Sequence, residues 1–90
     1  MNLAMRAETS NSDAPESPRL LLVDDDPDLL RLLSMRLRAS GYQVDAVDSA
    51  EAALAHLAVR SPDLVLSDVR LPGRDGLALF DEIRRTHPGL

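Results

Sequence analysis

LVLSDVRLPGRDG, running from Leu64 to Gly76, carries a short apolar run straight into Asp68 and then into a Pro-Gly turn. A strand that ends on a carboxylate beside a loop is built like a site as well as a scaffold. A second acidic cluster, Asp24-Asp25-Asp26, closes another apolar run, Leu20 to Val23. Side by side, the two strand ends make one acidic, metal-binding pocket with Asp68 as the reacting group.

The segments around these two runs set their neighbours. Arg19 to Val23 (RLLLV) follows a proline and is short and continuously apolar, as in a strand buried on both faces of a parallel sheet. Pro27 suits a first helical turn, with Asp26 as N-cap and Asp28 favoured by the helix dipole. Leu29, Leu30, Leu33 and Leu37 share a helical stripe through about Ser40, and Gly41 is a left-handed C-cap. Tyr42 to Val47 (YQVDAV) alternates and reads as a half-buried or edge strand. Ser49 caps a second helix that turns Ala50, Ala53, Leu54 and Leu57 inward and ends near Arg60. Asp63 to Ser67 is the third strand. Asp75 or Gly76 opens a third helix, with Leu79, Phe80 and Ile83 inward, that stops near His87-Pro88-Gly89.

The order β-α-β-α-β-α argues for a parallel sheet with right-handed crossovers. The alternating strand is the least apolar and belongs at the edge, which gives the order 2-1-3 counted from Arg19. Ligands of open α/β sheets bind at the carboxyl ends of the strands, where the chain reverses its direction of travel across the sheet. Asp24, Asp25 and Asp68 all fall there, on strands ~4.8 Å apart.

Composition narrows the partners. The formal net charge of -5 gives no general attraction for nucleic acid or anionic lipid. Tyr42 and Phe80 are the only aromatic residues, so no base-stacking surface is expected. Cys is absent, no apolar run reaches the ~20 residues of a membrane span, and the first residues lack a signal-peptide core. A cytoplasmic protein without membrane contact is the expectation. Residues 1–18 are polar, small and Pro-containing, and are expected as a disordered leader. All ten basic residues are Arg, so the chain has no Lys.

Two carboxylates ~5 Å apart repel by about 3 kcal/mol at an effective dielectric near 20. Remedies are a raised pKa, a cationic side chain or a divalent metal. Hard oxygens without His or Cys nearby select Mg²⁺ or Mn²⁺. Such a pocket suits phosphoryl transfer to an aspartate, with the metal offsetting charge on the transferred group.

LLLVDDDP (Leu20 to Pro27) and LSDVRLPGRDG (Leu66 to Gly76) together resemble the receiver domain of bacterial two-component response regulators. The resemblance covers about residues 19–90 and is closest to receivers of NtrC-type transcription activators. It implies a doubly wound, flavodoxin/CheY-like α/β fold of which this chain holds the first three βα units. It also implies Asp68 as phosphoacceptor, Asp25 as direct Mg²⁺ ligand and Asp24 as an acidic-pocket residue acting through water. The backbone carbonyl of Arg70 would complete the ligands. A sensor histidine kinase is the implied donor, and an output domain or a second receiver the implied partner.

The departures matter too. The family fold has five strands, with a switch Ser or Thr ending the fourth and a phosphate-binding Lys ending the fifth. This chain stops where the fourth would begin, and reads as a truncated receiver with a bare apolar edge on its third strand and low stability alone. A pseudo-receiver or interaction fragment without phosphotransfer is therefore a competing reading. A remote third is a haloacid-dehalogenase-type phosphatase with Asp24 as nucleophile and Asp26 as acid/base, although Asp28 replaces the Thr or Val usual in that motif. Taken singly, Asp26 and Asp75-Gly76 are caps, Pro72-Gly73 shapes a loop, and His56 and His87 face solvent. Ser67 points away from Asp68.

Overall fold

The computed structural model describes residues 2–6, 17–68 and 76–90. Their elements are β1 (Asn2–Arg6), β2 (Arg19–Val23), α1 (Pro27–Ala39), β3 (Gln43–Val47), α2 (Ala50–Val59), β4 (Leu64–Asp68) and α3 (Gly76–Thr86). The sheet order is β1-β4-β2-β3. The three expected strands pair in parallel in the expected order, with β2 central. Leu20 lies opposite both Val44 and Leu64, and Val23 opposite both Val47 and Ser67.

The continuous RLLLV run becomes the central strand because each face of it is covered. Leu21 and Val23 join Val65, Ala50, Ala53, Leu57, Leu79 and Ile83 in a core roofed by α2 and α3. Leu20 and Leu22 join Val44 on the other face, where Leu30, Leu33 and Leu37 of α1 pack. Leu29, expected on that stripe, is exposed; one step further round the helix than Leu30, it clears the sheet. Arg38 reinforces the contact, its Nη2 donating to the Val44 carbonyl at 2.9 Å.

The helix boundaries follow the local chemistry. The Asp26 carboxylate accepts the N–H groups of Asp28 (3.0 Å) and Leu29 (3.2 Å), and Ser49 Oγ accepts that of Ala52 (3.1 Å). At the far end of α1, Gly41 takes φ +102°. Its N–H donates to Arg38 O (3.0 Å) and that of Tyr42 to Leu37 O (3.1 Å), which closes a Schellman cap. Before β4, Asp63 exchanges two bonds with Arg19, N–H to carbonyl at 2.7 Å and carboxylate to N–H at 2.8 Å.

The amino-terminal segment differs from expectation. Asn2–Arg6 is a strand, antiparallel to β4, with Asn2 opposite Asp68 and Arg6 opposite Leu64. The outer edge of β4 is therefore covered and not bare. Five residues of mixed character carry no strand signal by themselves; the pairing comes from the unsatisfied edge of β4, a tertiary effect that overrides local propensity. The remainder of the expected leader, residues 1 and 7–16, lies outside the described residues. Among the described residues, no helix is long and apolar enough to cross a membrane.

Candidate functional site

The parallel register of β2 and β4 ends at Val23 opposite Ser67, so Asp24 and Asp68 follow it side by side, Asp68 as the last residue of β4. Side chains alternate along a strand. Asp68 therefore shares the face of Leu64 and Leu66, while Ser67 is buried on the opposite face, its Oγ donating to the Asp68 carbonyl at 2.9 Å. Asp24 is 2% exposed. Its backbone N–H donates to Val47 O (3.1 Å) and its Oδ1 accepts the Asp26 N–H (2.9 Å), so main-chain groups hold both its backbone and its carboxylate.

Asp24, Asp25 and Asp68 each bring a carboxylate oxygen within 4.8 Å of the others'. Asp24 is buried, Asp68 half-buried and Asp25 exposed, so the cluster runs from the sheet interior to solvent. At such separations each ionised pair repels by about 3 kcal/mol at an effective dielectric near 20. A gradient of exposure, hard oxygen donors and the absence of His from the cluster fit a Mg²⁺-type ion that keeps part of its water shell. Asp26 stands apart, its carboxylate committed to two amides at the head of α1.

The Arg70 carbonyl, Pro72-Gly73 and Asp75 lie outside the described residues. His56 does not face solvent: its Nε2 lies 3.1 Å from Asp45 Oδ2, which also meets Arg19 Nη1 at 3.1 Å. His87 shares a 2.9 Å hydrogen bond with Thr86 Oγ1 at the end of α3. Sequence reasoning missed Asn2, whose backbone sits in register with Asp68.

The family described as the response regulator receiver domain matches residues 20–90. The chain belongs to this family. Among curated relatives, the receiver is 48% identical over 71 residues to the transcriptional regulatory protein GlrR of Escherichia coli K12. It is 41% identical over 69 residues to the DNA-binding transcriptional regulator NtrC of Salmonella typhimurium. These alignments take in 79% and 77% of this chain but only 16% and 15% of the two relatives, which are NtrC-type response regulators. A solved relative, the response regulator TrrA of Thermotoga maritima in complex with Mg²⁺-BeF, superposes with a TM-score of 0.76 at 37% identity. That match covers 79% of this chain and 62% of the TrrA chain.

Proposed function

We propose that this receiver domain takes a phosphoryl group onto Asp68 from a sensor histidine kinase and passes that state to a transcriptional output. The observation that carries the reading is the convergence of Asp24, Asp25 and Asp68, with oxygens within 4.8 Å, at the carboxyl ends of adjacent parallel strands. Asp24, Asp25 and Asp68 would hold Mg²⁺, with the Arg70 carbonyl as a further ligand. A bound divalent cation supplies positive charge against the phosphoryl oxygens.

The chain's own residues do the rest. An oxygen of the ionised Asp68 carboxylate forms the new bond to phosphorus, and the bond from phosphorus to the donor breaks with its electron pair leaving on the donor. The strand holds Asp68 in place through the ladder on both of its edges. Asp24, fixed by the backbone of Asp26 and Val47, keeps the cluster's charge oriented without becoming the nucleophile. A cytoplasmic location suits exchange with a kinase.

A second reading is a pseudo-receiver that binds partners without phosphotransfer. One experiment separates them. The protein is incubated with Mg²⁺ and a small acyl phosphodonor, and its intact mass is followed. Gain of one phosphoryl group, lost in Asp68→Asn and in EDTA, is the expected result. No gain in a folded protein that still binds Mg²⁺ supports the pseudo-receiver. Gain that persists in Asp68→Asn refutes the assignment of the acceptor.

A further inference from the structure

We infer that Ser67 is a positioning residue for phosphoryl transfer: by holding the main-chain carbonyl of Asp68, its buried hydroxyl sets the direction in which the Asp68 side chain projects from the end of β4. The inference rests on the reading of Asp68 as the acceptor.

Packing alone does not call for a hydroxyl at this position. Ser67 is 4% exposed. Val65, two residues back on the same face of β4, and Val23, directly opposite on β2, both belong to the apolar cluster roofed by α2 and α3. An apolar side chain would suit those neighbours, and a buried hydroxyl is destabilising there unless it is hydrogen-bonded. The partner it has is the phosphoacceptor itself: Ser67 Oγ donates to the Asp68 carbonyl at 2.9 Å.

The place of that carbonyl gives the bond its effect. Pairing of β4 with β2 runs from Leu64 to Ser67 and stops one residue before Asp68. The hydroxyl carries the restraint past the last of those pairs. Its bond closes a small ring through Cβ and Cα of Ser67 to the carbonyl of Asp68. The soft rotations inside the ring are χ1 and ψ of Ser67 and φ and ψ of Asp68. Two of these, ψ of Ser67 and φ of Asp68, aim the Asp68 Cα–Cβ bond. Asp24 is steadied through its carboxylate, which accepts the Asp26 N–H. An acceptor whose oxygens must react is better steadied through its main chain. Without the bond, fewer molecules at any moment aim the nucleophilic oxygen productively, which lowers the rate of the step and leaves donor binding alone.

The test compares Ser67→Ala, Ser67→Cys and Ser67→Thr with the parent, all as the full chain. Ser67→Cys keeps the shape of the side chain with only a weak donor, whereas Ser67→Thr keeps the hydroxyl and adds a methyl group. A packing role predicts Ser67→Cys near the parent and Ser67→Thr impaired; a hydrogen-bonding role predicts the reverse. Each protein is titrated with a small acyl phosphodonor at saturating Mg²⁺ under reducing conditions, and phosphoryl gain is followed by intact mass. The expected result is a maximal rate lowered about fivefold in Ser67→Ala and Ser67→Cys and nearly restored in Ser67→Thr, at an unchanged half-saturating donor concentration. The carbonyl carbon resonance of Asp68, followed by NMR without metal or donor, moves upfield in the first two variants and stays in place in the third. Ser67→Cys as fast as the parent overturns the proposal, and so does an Asp68 carbonyl resonance unmoved in Ser67→Ala. Should Ser67→Thr lose the parent's circular dichroism, the other two variants and the resonance decide between the same outcomes. A parent that takes no phosphoryl group removes the acceptor reading and the inference with it; a parent that reacts beside an equally fast Ser67→Ala removes the inference alone.

Discussion

Asp25 is the exposed member of a crowded set of three carboxylates, and the crowding gives it two opposed effects. Without metal its charge works against the fold; with metal it helps to hold the ion. Asp25→Asn is therefore expected to stabilise the protein in EDTA by up to about 1 kcal/mol, reduced by solvent screening, and to weaken Mg²⁺ binding at least tenfold. Urea unfolding with and without Mg²⁺ checks both signs. In the parent protein, Mg²⁺ at a hundredfold its dissociation constant should add about 2.7 kcal/mol, and most of that gain should vanish in the variant. Asp24 and Asp68 were legible in the sequence because each ends an apolar run, and parallel strands bring such ends together. His56 was not, because its partner Asp45 is on another element and only the packing of α2 on β3 joins them.

At the scale of elements, α1 is defined by its two caps. Asp26→Ala removes the acceptor of two amides and should cost about 1 kcal/mol. Gly41→Ala meets no atom within 4 Å, so any loss comes from the backbone at φ +102° and should also be about 1 kcal/mol. The two changes lie at opposite ends of the helix and should add in a double variant within about 0.5 kcal/mol, measured by urea denaturation. Both caps could be read from residue type and spacing. β1 could not, since Asn2–Arg6 has neither turn residues beside it nor a clear alternation, and its conformation is imposed by β4. Leu29 failed for a related reason: a stripe drawn on a helix has no sheet to define its limits.

Across the whole molecule, the two faces of the sheet are covered unequally. α2 and α3 close one side; on the other, α1 leaves Leu64 and Leu66 half-buried. The larger cluster must therefore supply most of the stability of a small domain, whose margin is a few kcal/mol. Leu21, fully buried at its centre, makes the point testable. Leu21→Ala should cost 2–5 kcal/mol, enough to abolish a cooperative thermal transition by circular dichroism and Mg²⁺ binding with it. Leu29→Ala, on the exposed flank of α1, should shift the midpoint little.

The Schellman cap of α1 has an optical consequence. The chain contains no Trp and a single Tyr, so its intrinsic ultraviolet fluorescence comes from one phenol ring, that of Tyr42. That ring sits just past the carboxyl end of a thirteen-residue helix whose amino end adjoins the acidic cluster, about 20 Å away. Its emission will register fraying of the helix tail and stay silent to events at the carboxylates, so a spectroscopist following ion uptake must supply a second chromophore.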